Sequence, residues 1–213
     1  MSFDTFARVL DVARNEAVGA NELFISCGFE PTIHPQFADI MRMIPPELRP
    51  KAFLSTNLST QMSDDDIDAL ANANINHINI SVESLVPETY EYFRRGAKYE
   101  TFIDNLDRLV IAVRSSSNAP ALHIISMLFR QNAGEIISMA ADCKRYFGIT
   151  RHEARTPFEF SLGYMSDEFK RDSLLSDDEA LAVTQQPSEI EWSIDYSGSW
   201  LADMRITSDG VGL

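Results

Sequence analysis

The sequence predicts an α/β fold with a parallel sheet, and three observations carry that prediction. Short β-rich apolar runs alternate with helical patterns from the N-terminus to about residue 160. Successive strand candidates begin roughly 25 to 45 residues apart, ample for helical crossovers. Polar residues gather at the carboxyl ends of the apolar runs, where parallel sheets hold ligands. The connections should be right-handed. Periodicity alone leaves open whether the sheet is doubly wound or a curved partial barrel.

Residues 3–17 read as a helix, with Phe3, Phe6, Val9, Leu10 and Ala13 on one face. Residues 22–27 read as a buried strand that ends in a tight turn. Residues 35–44 place Phe37, Ile40, Met41 and Ile44 at helical spacing, and Pro45-Pro46 stops that helix. Residues 51–57 form the next strand. Ser63 then caps a helix whose first turn carries Asp64, Asp65 and Asp66. Residues 76–82 alternate as a strand through Ile78, Ile80 and Val82. Pro87 opens a short helix that Gly96 breaks, and a longer helix follows through Phe102, Leu106, Leu109, Val110 and Val113. A fourth strand spans 121–128. A helix over 133–147 is closed by Gly148, and a weaker strand is expected within 155–162. Beyond residue 163 the rhythm fades. The reading therefore divides the chain into 1–162 and a C-terminal extension, 163–213, with one helix near Ser176 and renewed alternation over 191–213.

Composition narrows the function. The 213 residues are 45% hydrophobic, enough for a sizeable core. A net charge of −14 repels phosphate backbones and argues against nucleic-acid binding. No apolar run is long enough to span a bilayer and no signal-peptide pattern opens the sequence, so a cytoplasmic location is expected. Cys27 and Cys143 are the only cysteines. They make neither a disulfide framework nor a Cys-only cluster site. Cys143, on a helical pattern, reads as a small core residue. His34, His77, His123 and His152 show no metal-ligand spacing, and no P-loop, G-x-S-x-G or G-x-G-x-x-G motif is present.

The candidate site lies at the strand ends: Ser26 to Glu30, Ser55-Thr56-Asn57, Ser81 with Glu83-Ser84, and Ser126. On one rim these groups would offer hydroxyls, an amide and two carboxylates to a polar small molecule. Each could equally cap a helix or close a turn. Glu30, fixed by Pro31, either complements a helix dipole or receives a ligand ammonium group. Arg94 or Arg95 could grip a ligand carboxylate, or sit solvated at a helix end.

Four of these segments resemble those of a known family. Ser26-Cys27-Gly28-Phe29-Glu30-Pro31-Thr32-Ile33-His34-Pro35 resembles the GGEPxxHP turn of radical SAM proteins, with Phe29 in place of the second Gly. Ser55-Thr56-Asn57 resembles the family's STN strand end. Asn79-Ile80-Ser81-Val82-Glu83-Ser84 resembles its ISxD strand, with Glu83 in the Asp place. Pro87 through Tyr99 is similar to its PETYexiRggkfe stretch. The order and spacing are the family's.

The resemblance implies a partial (β/α)6 TIM-type barrel that binds S-adenosylmethionine and a 4Fe–4S cluster, and a 5′-deoxyadenosyl radical that abstracts hydrogen from a small-molecule or peptide substrate. It assigns the methionine amino group to Gly28, Phe29 and Glu30, with Pro31 beside them in the cofactor-binding turn. Ribose and carboxylate fall to Ser55, Asn57, Ser81, Glu83 and Arg95 (or Arg94), with Ser126 on the fourth strand end. The family's CxxxCxxC loop has no counterpart here, so the barrel is expected to lack its first strand and the chain alone to be inactive. The second strand would then present an apolar edge built for pairing, and self-association is expected. The other reading is a degenerate α/β protein acting as a non-catalytic binding or scaffold module. Trp200 and Met204 to Val211 resemble the opening of a SPASM-type extension.

Overall fold

A computed structural model describes residues 2–16, 19–26, 30–157 and 162–193. The strands are β1 (Leu23–Phe24), β2 (Ala52–Thr56), β3 (His77–Ser81), β4 (Ala121–Met127), β5 (Arg151–Arg155) and β6 (Glu191–Ser193). They form one parallel sheet in chain order, β1 to β6, and among the described residues it does not close. The chain divides into two compact units. Met1–Ser81 and Arg94–Ile124 form the first, Val82–Phe93 and Ile125–Leu213 the second.

In the first unit, Leu23 pairs with Ala52 and Phe24 with Phe53, and β2 continues onto β3 from Phe53↔His77 to Thr56↔Ile80. Alternation along β2 buries Ala52, Leu54 and Thr56, because successive side chains point to opposite faces. Helices α1 (Phe3–Glu16), α2 (Phe37–Met43), α3 (Asp64–Ala71) and α5 (Tyr99–Ser115) belong to this unit. A capping box starts α3: Ser63 Oγ accepts from the Asp66 N–H while the Asp66 carboxylate accepts from Ser63. Leu70, Phe102, Leu106 and Leu109 are fully buried, each stabilising the fold by about 1.5–3 kcal/mol. On the sheet, Phe24, Phe53, His77 and His123 stack in series with ring centroids 4.9, 4.7 and 4.6 Å apart.

In the second unit, α4 (Pro87–Phe93) begins with its proline, where the missing N–H does no harm. Helix α6 (Ile136–Asp142) runs into a π turn, Cys143–Phe147, and Gly148 ends it at φ 72°. Cys143 is fully buried, as its helical pattern predicts. The next strand is β5 at Arg151–Arg155, earlier than the expected 155–162. Its alternation is carried by His152 and Ala154 between Arg151, Glu153 and Arg155, so the apolar signal is weak. Among the described residues after 163, two helices stand where one was expected. Helix α7 (Asp167–Ser173) is capped by Ser166, and α8 (Asp177–Thr184) by a Ser176–Glu179 capping box. β6 pairs with β5 from Glu153↔Glu191 to Arg155↔Ser193. The SPASM-like segment lies outside the described residues.

Candidate functional site

The first unit builds a polar cluster around Glu30, at the turn after β1. Glu30 caps the short 3-10 helix Pro31–Ile33. Its Oε1 accepts from the Thr32 N–H (3.1 Å), the Thr32 hydroxyl (2.6 Å) and the Thr56 hydroxyl (2.7 Å), and its Oε2 accepts from the Asn57 N–H (2.7 Å). A charged acceptor with four donors fixes the turn against the carboxyl end of β2. Upstream, Ser26 Oγ accepts from the Ser55 N–H at 2.9 Å. Asn57 Oδ1 accepts from the Ser59 N–H and hydroxyl. That leaves the Asn57 amide NH₂ as its donor side.

Arg94 reaches the end of β3. Its Nη2 donates to the Ser81 carbonyl and hydroxyl at 3.0 and 3.1 Å. Arg94 is half-buried, whereas Arg95 is exposed. Ser55 pairs with Asn79 and Thr56 with Ile80, so Ser55, Asn57 and Ser81 lie at or just past the carboxyl ends of neighbouring strands, with Glu30 bonded to the Asn57 N–H and Arg94 to Ser81. Gly28 and Phe29 lie outside the described residues. Pro31 opens the 3-10 turn.

In the second unit, Glu83 is buried and its carbonyl accepts from Asn132 Nδ2 at 2.8 Å. Ser126, 1% exposed, bonds to the Val82 carbonyl and lies 2.9 Å from His152 Nε2. Burial holds His152 well below its ordinary value, to about 4, so it is neutral at physiological pH.

Two buried asparagines support the strand ends and escape a reading of motifs. Asn105 Nδ2 donates to the carbonyls of Leu58 (2.9 Å) and Thr60 (2.7 Å) in the first unit. That clasp holds Leu58 at φ 49°, unusual for a non-glycine. Asn132 donates to Glu83 and Met127 and accepts from the Phe129 N–H in the second. Asn105 did leave a signal, as a polar residue on the apolar stripe of Phe102, Leu106 and Leu109.

The strand ends of this parallel α/β sheet gather hydroxyl, amide, carboxylate and guanidinium groups, the kinds of group that polar small molecules meet at such positions. The sequence profile of the Radical SAM superfamily matches residues 1–143, and the chain belongs to that superfamily. No curated protein matches the sequence. Among solved structures, SuiB from Streptococcus suis is similar, with a TM-score of 0.64 and 16% identity over 99% of this chain and 47% of that one. SuiB bound to S-adenosylmethionine gives 0.61 and 15% over 90% and 43%. SuiB bound to precursor peptide SuiA gives 0.62 and 16% over 95% and 44%. The fold is thus similar to that of these partial barrels, and the chain spans about half of their length. Among the described residues, no helix is long and apolar enough to cross a membrane.

Proposed function

We propose that this chain is the S-adenosylmethionine-binding core of a radical enzyme. The observation that carries the reading is the Glu30 carboxylate tied to Thr56 and Asn57, which ties the family's amino-group turn to the neighbouring strand end. In this reading Gly28, Phe29 and Glu30 receive the methionine amino group, and Pro31 fixes the cofactor-binding turn that carries them. Ser55, Asn57, Ser81 and Glu83 serve the ribose and carboxylate, and Ser126 lies on the fourth strand end. The carboxylate's cation is Arg94, already turned onto Ser81, with Arg95 as the other sequence candidate. The donor set fits the ligand: hydroxyls and an amide for ribose oxygens, a guanidinium for a carboxylate. The substrate is a peptide or small molecule, and the proposed location is the cytoplasm. Residues 163–213 are read as an extension beyond this core.

The chain's residues do not fit a 4Fe–4S cluster, which is held by cysteine thiolates. Of two cysteines, Cys143 is fully buried and burial pushes its thiol up to about 12, so it is no ligand. Cys27 alone leaves the set incomplete, and no three His, Cys, Asp or Glu among the described residues could hold a metal ion. These 213 residues are therefore proposed to bind the methionine cofactor without generating the radical unless cysteines from another sequence complete the site. The same observation favours a second reading, a non-catalytic binding or scaffold module. Anaerobic reconstitution of the chain with iron and sulfide tests the first statement, and a 4Fe–4S absorbance and EPR signature on this polypeptide would overturn it. Equilibrium dialysis with S-adenosylmethionine separates the two readings: saturable binding is expected of the core and not of a plain scaffold.

A further inference from the structure

Strands β1, β2 and β3 run parallel and lie side by side in chain order. Right-handed crossovers therefore carry α2 and α3 onto one face of the sheet. Ala52, Leu54, Ile78 and Ile80, none more than 1% exposed, belong to that covered face. Strand alternation turns Phe53, Ser55, His77 and Asn79 to the opposite face.

Asn79 is 8% exposed. β3 has a strand on either side, so the edges of its backbone are covered and the remaining exposure belongs to the side chain, on the helix-free face. Its carboxamide has no hydrogen-bond partner among the described residues, an exception for a polar group so deeply buried. The cross-strand neighbour of Asn79 is Ser55, already assigned to the cofactor. Two residues toward the strand starts, about 6–7 Å away, the Phe53 and His77 rings stack at 4.7 Å. Two residues toward the strand ends stand Asn57 and Ser81. Neither the ring row nor the Ser55–Asn79 row holds a carboxylate, ammonium or guanidinium group.

We propose that Asn79 binds a neutral molecule that presents an amide N–H and C=O on one edge. The Asn79 NH₂ donates to the ligand carbonyl, its Oδ1 accepts from the ligand N–H, and an apolar or aromatic part of the ligand rests on the ring row. A charged ligand would lose its hydration there without a counter-charge. That this ligand is the substrate rests on the S-adenosylmethionine reading, which puts the cofactor on the next row; the binding itself does not.

The test uses the full chain labelled with ¹⁵N-asparagine and the probe phenylacetamide. Methyl phenylacetate, which lacks the donor, and phenylacetate, which carries a charge, are its counterparts. The Asn79 side-chain amide resonance is identified by its absence from Asn79→Leu, and ligand-observed NMR measures the affinities. Phenylacetamide should move that resonance in a saturable way, and both counterparts should bind about tenfold or more weakly, as loss of one hydrogen bond implies. Asn79→Leu, nearly the same shape, should lose phenylacetamide binding while its urea midpoint stays unchanged or rises, because no internal bond is removed. Absence of a saturable shift, equal affinity for the three compounds, or undiminished binding by Asn79→Leu would each overturn the proposal. So would a lowered midpoint or failure of Asn79→Leu to fold, the mark of a structural amide. Phenylacetamide binding without S-adenosylmethionine binding would overturn the cofactor reading and leave this site standing; the reverse would overturn this site alone.

Discussion

A single nitrogen of Arg94, Nη2, donates to both the carbonyl and the hydroxyl of Ser81, at 3.0 and 3.1 Å. This ties the segment after α4 to the end of β3, and it separates two neighbouring arginines that the sequence presents as equals. If Arg94 receives the cofactor carboxylate, Arg94→Ala should weaken S-adenosylmethionine binding by about tenfold or more. Arg95→Ala should change it by less than about twofold. Equilibrium dialysis with labelled cofactor measures both, and the reverse ranking would move the carboxylate to Arg95.

Glu30 is expected to matter for stability before it matters for binding. Its carboxylate takes four donors, and Glu30→Ala would strand them beside β2. The loss should be about 2–4 kcal/mol by urea denaturation. Glu30→Gln should lose less, since one oxygen remains, but its NH₂ group would oppose one of the present donors. A change below about 0.5 kcal/mol for Glu30→Ala would show that water replaces the carboxylate.

How much of this was legible in the sequence differs by element. The βα order, the Pro87 helix start and the Gly148 stop follow from local chemistry and are found in the structure. β5 is displaced because Arg151, Glu153 and Arg155 dilute a strand whose buried face is only His152 and Ala154. α7 was missed because Phe169 is the one large apolar residue in a short charged stretch. At the candidate site the strand-end residues were readable from type and position. Their partners were not, because the Glu30–Asn57 and Arg94–Ser81 bonds join residues far apart in sequence and depend on the register of the sheet.

The two buried asparagines should be intolerant of shortening. Asn105→Ala removes two donors from the Leu58 and Thr60 carbonyls, and Asn132→Ala removes three bonds around the end of β4. Each change should destabilise the chain by about 2–4 kcal/mol in chemical denaturation. Ser116→Ala removes two exposed bonds, one given to Asn72 and one accepted from the Asn118 N–H, and should stay within about 0.5 kcal/mol.

His152 predicts an acid-sensitive fold. Its folded value, about 4, lies below the ordinary 6.5, so between those values the unfolded chain binds the extra proton. Stability from this group is fully present above pH 6.5 and is lost as pH falls through 4. The loss is roughly 3 kcal/mol by linkage. Urea midpoints for the parent and His152→Phe, compared between pH 4 and 7, should converge as pH falls. Parallel pH profiles would remove His152 from the acid response.

The stack of Phe24, Phe53, His77 and His123 has a consequence for how the chain avoids misassembly. Parallel strands joined by long crossovers have no tight turn to set their alignment, and a slip by one residue sends every side chain to the opposite face. Here such a slip between neighbours would break the line of rings as well as the hydrogen-bond ladder, forfeiting about 0.5–1.5 kcal/mol for each stacked pair. The four rings act as an index mark across four strands, a proofreading device that penalises the misaligned sheet before any ligand is present.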